Sequence, residues 1–284
     1  MSGLRPPAPI LYRPILEAAL REDLGRAGDQ TTDAVIPADA TATASVVARE
    51  AGTIAGLEIA CRAFGLLDER VEVDLRVADG TAVEAGTVLA EIAGPARAIL
   101  SAERVALNLL GRLCGIATLT ARVAGAVEGT GAAVACTRKT TPGLRMLEKY
   151  AVRAGGGANH RFGLDDAVLI KDNHVAVAGG AAAAVEAARR AVGHLVKIEC
   201  EVDTIEQMVE AIEAGADAVL LDNMSPAELR QAVDAAAGRV PLEASGGITP
   251  ENIREIAETG VDVISMGWLT HSSRALDVAL DIVL

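Results

Sequence analysis

From about Cys114 onward, short apolar runs rich in Val, Ile and Leu alternate with helix-like stretches. The later units repeat at roughly 20–25 residues, which is the spacing of a strand followed by a helix. Almost continuously apolar strands are typical of a parallel sheet that is buried on both faces. A closed barrel of this kind usually has eight strands. The pattern therefore predicts an α/β fold in which about six parallel strands form an incomplete barrel or an open sheet.

The predicted strands are Val134–Thr137, Val168–Lys171, Val196–Val202, Ala218–Leu221, Leu242–Ser245 and Val261–Met266. The predicted helices between and after them are Leu144–Ala154, Ala181–Val192, Thr204–Ala214, Pro226–Ala237 and Pro250–Thr259.

The first part of the chain has a mixed α and β pattern. Ser45–Arg49 and Val71–Val77 have the composition of strands, and an apolar-periodic helix is predicted between them over Leu57–Leu67. Asp-Gly and Ala-Gly pairs then separate short runs, as hairpin turns do. Ser101 is placed to act as the N-cap of a long helix with one apolar stripe.

This change of pattern predicts two domains. The first is an N-terminal α/β domain over residues 1–113, and the second is the incomplete α/β barrel over residues 114–272. A C-terminal helix over residues 273–284 is expected to join the first domain.

Polar side chains gather where the predicted parallel strands end, which is the edge at which such sheets bind ligands. Cations follow the first two strands, and Glu199 and Glu201 share one face of the third. Glycine loops, which can hold phosphate through backbone N–H groups, follow the late strands. This arrangement predicts a pocket for a small polyanion. The residues concerned include Arg138, Lys139, His160, Arg161, Lys171, Asp222, Asn223, Ser245, Gly246, Gly247 and Gly267.

Charge and composition narrow the class of protein. The 284-residue chain has a formal net charge of −13, which argues against nucleic acid or an anionic membrane as a partner. The four cysteines are scattered without a C-x-x-C pair, so buried free thiols are expected. The N-terminal segment lacks the apolar core of a signal peptide, and no apolar run is long enough to span a bilayer. We therefore expect a soluble, cytoplasmic protein.

Structural interpretations of the same residues stay open. An isolated Arg-Lys pair is most often solvated surface. Glu199 and Glu201 could form an inward pair that Lys139 and Lys171 neutralise, which would be a structural network instead of a catalytic one. Glycines at strand-to-helix turns are common for conformational reasons alone.

Taken together, these segments resemble the quinolinate phosphoribosyltransferases, also called carboxylating nicotinate-nucleotide pyrophosphorylases. The resemblance covers nearly the whole chain. The segments that carry it are Asp29–Thr32 (DQTT), Ser101–Arg104 (SAER), Thr137–Arg145 (TRKTTPGLR), Gly155–Arg161 (GGGANHR), Leu169–His174 (LIKDNH), Glu199–Glu201 (ECE), Leu220–Asn223 (LLDN), Glu243–Ile248 (EASGGI) and Ile264–Gly267 (ISMG).

The resemblance implies an N-terminal open-faced α/β sandwich and a catalytic, incomplete C-terminal α/β barrel. It also implies a reaction: quinolinate and phosphoribosyl pyrophosphate give nicotinate mononucleotide, pyrophosphate and CO₂, with Mg²⁺ bound mainly through phosphoribosyl pyrophosphate. This is a step of NAD biosynthesis. The family is further expected to form homodimers whose active sites are shared between subunits.

Roles for individual residues follow from the same resemblance. Lys139, Glu201 and Asp222 would be catalytic, the lysine near the reacting centre and pyrophosphate, the two carboxylates beside the ribose. The remaining residues would bind substrate. The quinolinate carboxylates would be held by Arg138, His160, Arg161 and Lys171, joined by Arg104 from the other subunit. The 5′-phosphate would be held by Ser245, Gly246, Gly247, Gly267 and His271, and Thr137 would also bind substrate.

Other functions remain possible at this point. One is a phosphoribosyltransferase for another acceptor, or a relative of the same fold associated with molybdenum transport. A second is a barrel lyase that forms a Schiff base at Lys139 or Lys171. A non-catalytic nucleotide-binding module is disfavoured, because cations and carboxylates converge from several strands.

Overall fold

The computed structural model describes residues 4–283, and within that range the chain forms two compact units. The first unit comprises the chain up to Ala121 together with Thr141–Gly156 and the C-terminal segment from Ser272. The second comprises Arg122–Thr140 and Gly157–His271. The domain boundary predicted near residue 113 remains a proposal.

Helices and strands alternate along most of the chain. The helices are α1 (Pro9–Leu24), α2 (Gln30–Val35), α3 (Leu57–Leu67), α4 (Ala96–Ala126), α5 (Arg145–Ala154), α6 (Asp172–Ala178), α7 (Ala181–Ala191), α8 (Ile205–Glu213), α9 (Pro226–Ala236), α10 (Ile253–Ala257) and α11 (Trp268–His271). The strands are β1 (Thr41–Ala48), β2 (Gly52–Thr53), β3 (Glu72–Leu75), β4 (Ala82–Val83), β5 (Val88–Pro95), β6 (Ala133–Cys136), β7 (Ala158–Asn159), β8 (Val168–Ile170), β9 (Ile198–Val202), β10 (Ala218–Asp222), β11 (Leu242–Ser245), β12 (Val263–Ser265) and β13 (Val278–Val283).

An antiparallel sheet with strand order β13-β1-β5-β3 organises the first unit. The predicted C-terminal helix is wrong, because Val278–Val283 is a strand that pairs with β1, Leu280 lying opposite Val46. A short apolar segment does not distinguish a helix from a strand by periodicity alone. Here β1, more than 200 residues earlier in the chain, offers an edge whose backbone groups the segment completes.

Ser101 is not an N-cap, which corrects a second prediction in this unit. Helix α4 already begins at Ala96, so Ser101 lies inside it, and its hydroxyl donates to the Asp29 carboxylate at 2.9 Å. Asp29 is itself the N-cap of α2 and accepts from the Thr32 backbone N–H. Ser101 therefore fixes the cap of another helix.

A parallel sheet with strand order β7-β6-β12-β11-β10-β9-β8 forms the second unit and curls into a half-barrel. The six predicted strands are all present. The seventh, β7, has only two residues and pairs with β6, which is too short to leave an apolar signature in sequence. Because every neighbouring pair is parallel, the carboxyl ends of all seven strands lie at one edge.

The predicted alternation of strands and helices in this unit is confirmed, with two additional helices, α6 and the four-residue α11. Helices α7, α8 and α9 match their predicted positions, and α10 is shorter than predicted. Helix α6 was missed because Asp172–Ala178 buries none of its side chains and so lacks an apolar stripe. Its first turn is fixed by the Lys171 backbone N–H, which donates to His174 Nδ1 at 2.9 Å.

The four cysteines are free and buried, as predicted. The expectation that no apolar run could span a bilayer does not hold for α4, which is long and apolar enough by length and composition; however, 56% of its most apolar stretch is buried in the fold. Such burial is typical of the core helix of a soluble protein.

Candidate active site

A cavity of about 630 Å³ opens where the parallel strands of the second unit end. It contains most of the predicted site residues; those that do not line it are Arg104, Gly267 and His271. The lining residues are Thr137, Arg138, Lys139, His160, Arg161, Leu169, Lys171, Glu201, Leu220, Asp222, Asn223, Glu243, Ser245, Gly246, Gly247 and Ser265. The sequence argument from strand ends therefore located the pocket.

Two arginines supply the least solvated cations of this cavity. Burial is the main cause that lowers the pKa of Arg161, and the positive charge of nearby Arg138 lowers it further. Arg161 Nη1 donates to the carbonyl of Ala167 at 3.1 Å. The Nε atoms of Arg138 and Arg161 are buried and have no hydrogen-bond partner among the described residues. Unpaired buried donors on adjacent cations are a site for an anion with more than one oxygen.

His160 lies between two carboxylates, of which Glu243 is buried and Glu199 is half-buried. Its Nε2 is 2.9 Å from Glu199 Oε2 and 3.6 Å from Glu243 Oε1. Burial, followed by the charge of Glu199, raises the pKa of Glu243 to about 7. These three residues come from β9, β11 and the segment after β7, so only the curl of the sheet brings them together.

Lys171 and Glu201 form an ion pair across the neighbouring strands β8 and β9. Lys171 Nζ is 2.5 Å from Glu201 Oε2, and the carboxylate is the more buried partner. The predicted neutralisation of Glu201 by Lys171 is therefore present. Glu199 instead contacts His160. The structural alternative, in which Lys139 and Lys171 neutralise both carboxylates, is therefore correct only for the pair of Lys171 and Glu201.

A polar row continues along the ends of β10, β11 and β12. Asn223 Nδ2 donates to the Asp222 carboxylate at 2.7 Å, and the Asn223 backbone N–H donates to the Ser245 carbonyl. Ser265 Oγ donates to Ser245 Oγ at 3.0 Å. Gly246 follows with a φ of +88°, and a Cβ there would lie 2.2 Å from Asn223 Oδ1. Glycine is therefore required at 246 both by conformation and by space.

Lys139 is held beside the last strand of this row. Its carbonyl accepts from the Thr270 hydroxyl at 2.7 Å, and its backbone N–H donates to Thr137 Oγ1 at 3.1 Å. Gly267 lies against its side chain, since a Cβ at Gly267 would be 2.7 Å from Lys139 Cδ. The same Cβ would be 3.2 Å from His271 Cδ2, so Gly267 lies next to both Lys139 and His271.

Arg104 is on α4 in the first unit, and its side chain is 64% exposed. Its nearest ionic neighbour is Glu103, at 3.9 Å. The predicted role of Arg104 needs a second subunit, so a single chain leaves it a prediction.

Glu243 and Ser265 were given no role from sequence, although both fall in recognised segments. The sequence did contain a signal for Glu243, because it is an acid within the otherwise apolar strand β11. An acid in a buried strand needs a partner, which indicates a site. Nothing in the local sequence distinguished Ser265 from an ordinary strand-end serine.

Comparisons with known proteins agree with this geometry. Residues 116–281 match the family model described as quinolinate phosphoribosyl transferase, C-terminal domain, and residues 29–114 match the N-terminal domain of the same family. The chain is 48% identical over 263 residues to a probable nicotinate-nucleotide pyrophosphorylase [carboxylating] of Bacillus subtilis, covering 93% of this chain and 90% of that protein. It is 45% identical over 278 residues to the nicotinate-nucleotide pyrophosphorylase [carboxylating] of Mycobacterium leprae, covering 95% and 96%.

Solved structures agree as well. The crystal structure of NadC from Streptococcus pyogenes superposes with a TM-score of 0.94 at 40% identity, covering 99% of this chain and 100% of that one. Both domain models match in order, and the relatives align over nearly their full lengths. The chain belongs to the quinolinate phosphoribosyltransferase family.

Proposed function

We propose that this protein transfers the phosphoribosyl group of phosphoribosyl pyrophosphate to quinolinate, with decarboxylation, to give nicotinate mononucleotide, pyrophosphate and CO₂. The observation that carries the proposal is the order of groups around one cavity. Buried, unpaired arginine donors lie at one part of it, carboxylates in the middle, and a serine–glycine turn at the end of β11. Full-length similarity to proteins with this name supports it.

Quinolinate would be held by its two adjacent carboxylates. Arg138 and Arg161 have planar guanidinium groups that match carboxylate oxygens, and Lys171 adds a point charge. His160 was predicted to bind quinolinate too, and its ring lies at the same part of the cavity. Fixing both carboxylates orients the ring nitrogen toward the ribose and supplies the proximity on which such a reaction depends.

The ribose would lie beside Glu201 and Asp222. Positive charge develops at its anomeric carbon as pyrophosphate departs, and fixed carboxylates stabilise that charge in a site shielded from water. Lys139, held by Thr270 and by Thr137, would face the leaving pyrophosphate. After the ring nitrogen has bonded to the anomeric carbon, the bond between the ring and the adjacent carboxylate breaks and CO₂ leaves. The electron pair of that bond stays on the ring carbon, stabilised by the cationic nitrogen, and this carbon then takes up a proton from water.

The 5′-phosphate would occupy the turn formed by Ser245, Gly246 and Gly247. Both glycines have positive φ, and turns with left-handed residues can direct successive backbone N–H groups toward an anion. Gly267 and His271 would complete this end of the site.

Mg²⁺ would be bound mainly by the oxygens of phosphoribosyl pyrophosphate and by water. The donor chemistry of the cavity fits, because Mg²⁺ prefers oxygen ligands. Glu201 is occupied by Lys171, whereas Asp222 has no salt bridge among the described residues, so Asp222 would be the protein group that holds the ion. The ion supplies charge neutralisation to the leaving pyrophosphate.

The active form would be a homodimer in the cytoplasm, with Arg104 of the partner subunit reaching the quinolinate carboxylates. The exposure of Arg104 supports this, since 64% of its side chain is accessible to a second subunit.

The test is direct measurement of pyrophosphate and CO₂ from quinolinate and phosphoribosyl pyrophosphate, with and without Mg²⁺. Both products should form in equal amounts. Nicotinate, which lacks the second carboxylate, should have a kcat/KM lower by about 10⁴-fold, because a site built for a polar group strongly rejects a ligand without it. Comparable values for the two acids would favour a paralogue with another acceptor.

A further inference from the structure

The cluster of His160, Glu199 and Glu243 has a chemistry that the proposed reaction does not use. The three ligand atoms lie within 4.8 Å of one another. Glu243 has only 8% of its side chain exposed, and its Oε1 has no hydrogen-bond partner among the described residues. A carboxylate in this position is stable only if a cation, a metal ion or a proton compensates it.

The tautomer of His160 argues against a metal ion as the compensating group. The Arg161 backbone N–H donates to His160 Nδ1 at 2.7 Å, so Nδ1 carries a lone pair and no proton. A neutral imidazole then has its hydrogen on Nε2, the atom that faces both carboxylates. Nε2–H donates to Glu199, and in this state the nitrogen has no lone pair with which to bind a metal ion.

We expect a proton held within this cluster to supply the compensation. Two carboxylates this close in a buried place do not both ionise readily, so one of them retains a proton. The pKa of Glu243, raised to about 7, agrees with this. The charge of His160 and the contact with Ser265 lower the pKa of Glu243, and the charge of Glu201 raises it. The other charged groups lining the cavity are Arg138, Lys139, Arg161, Lys171 and Asp222.

A bound dianion would change this balance in a definite direction. The charges of Arg161 and Glu199 act on each other. Quinolinate carboxylates placed on Arg138 and Arg161 would offset those charges and add negative charge near Glu199 and Glu243. The proton affinity of the carboxyl pair would therefore rise on binding.

We infer that His160, Glu199 and Glu243 form a proton-sharing triad that takes up a proton when a dicarboxylate binds to Arg138 and Arg161. The inference rests on the proposed function, because it takes quinolinate as the ligand of this part of the cavity. Uptake of the proton would let the site accept the two negative charges of the ligand next to the carboxyl groups of Glu199 and Glu243. Glu243 is then a positioning residue. The inference also assigns His160 a bridging role beneath the substrate.

Titration calorimetry of the intact protein in buffers of different ionisation enthalpy tests this. The ligands are quinolinate and phthalate, which has the same two adjacent carboxylates and no ring nitrogen that could take the proton. At pH 7.5 the observed enthalpy should depend on the buffer with a slope of roughly half a proton or more taken up per site, since a group of pKa near 7 is then mostly ionised before binding. At pH 5.5 the uptake should fall several-fold, because the triad already holds its proton.

Glu243→Gln should still bind phthalate but lose most of the uptake at pH 7.5. Glu210→Gln, an exposed change on α8, is the matched control and should keep it. Binding by the unmutated protein without uptake at pH 7.5 would overturn the triad alone, and this result does not depend on how the variant folds. A stoichiometric divalent metal that disappears in His160→Gln would also overturn it. Absence of both binding and turnover would overturn the proposed function and the triad together.

Discussion

The side chain of Lys139 occupies the space that a Cβ atom at Gly267 would need, since the two would be 2.7 Å apart at Lys139 Cδ. This contact joins the ends of the neighbouring strands β6 and β12. Glycine at 267 is thus required by the position of a catalytic candidate.

Gly267→Ala should therefore displace Lys139. A flexible lysine can move aside, so we expect the melting temperature to change little while kcat falls by roughly ten- to a hundredfold through misplacement of the ammonium group. Gly125→Ala on α4, where a Cβ meets nothing within 4 Å, is the control and should keep full activity. Steady-state kinetics and thermal unfolding of both variants provide the check; normal kcat in Gly267→Ala would show that Lys139 does not need this position.

The carboxylates beside the ribose should act mainly in the transition state. Glu201→Gln or Asp222→Asn is expected to lower kcat by about 10²-fold and to change KM less, because each removes a charge that matters most as the anomeric carbon becomes positive. Glu201→Gln also leaves Lys171 without its ion-pair partner. Comparison of kcat and KM for both variants decides the point: an unchanged kcat with a raised KM would assign these groups to substrate binding.

Arg104 should complete the active site of the other subunit. Arg104→Ala and Lys139→Ala chains, each nearly inactive alone, should regain activity toward half the wild-type value per heterodimer when co-assembled, because one site then has both residues. The reciprocal control pairs the wild-type chain with a chain carrying both changes. If Arg104 acts across subunits, every site of that heterodimer has one lesion and stays nearly inactive. The opposite result in the two mixtures would place Arg104 in its own chain's site.

The buried acid Glu243 should make stability depend on pH. Its pKa is raised from 4.5 to about 7 in the folded protein. The folded state therefore binds more protons than the unfolded state between these values, and this group's contribution to stability is present at low pH and lost as pH rises through about 7. Glu243→Gln removes that titration. The melting temperature of the variant relative to wild type should thus increase from pH 5 to pH 8.5, measured by calorimetry in matched buffers; a difference that is constant with pH would contradict the assignment.

Much of the second unit was predictable from local sequence. Strands such as Ala218–Asp222 are short apolar runs ending in a charged or glycine-rich turn, and burial on both faces leaves few other interpretations. Since parallel strands place their carboxyl ends at one edge, Lys139, Lys171 and Asp222 were expected together without knowledge of the strand order. Recognised segments then supplied the roles.

Tertiary structure decided the features that depend on partners distant in sequence. Val278–Val283 is a strand because the edge of β1 was available to pair with it, and its own composition permitted either state. The partners of Glu199 and Glu201 were equally undetermined. Both glutamates share one face of β9, yet the strand order places Lys171 beside Glu201, and the curl of the sheet brings His160 to Glu199. Residue types and their spacing determined which groups reach the carboxyl edge of the sheet, whereas the order and curvature of the strands determined which of those groups touch.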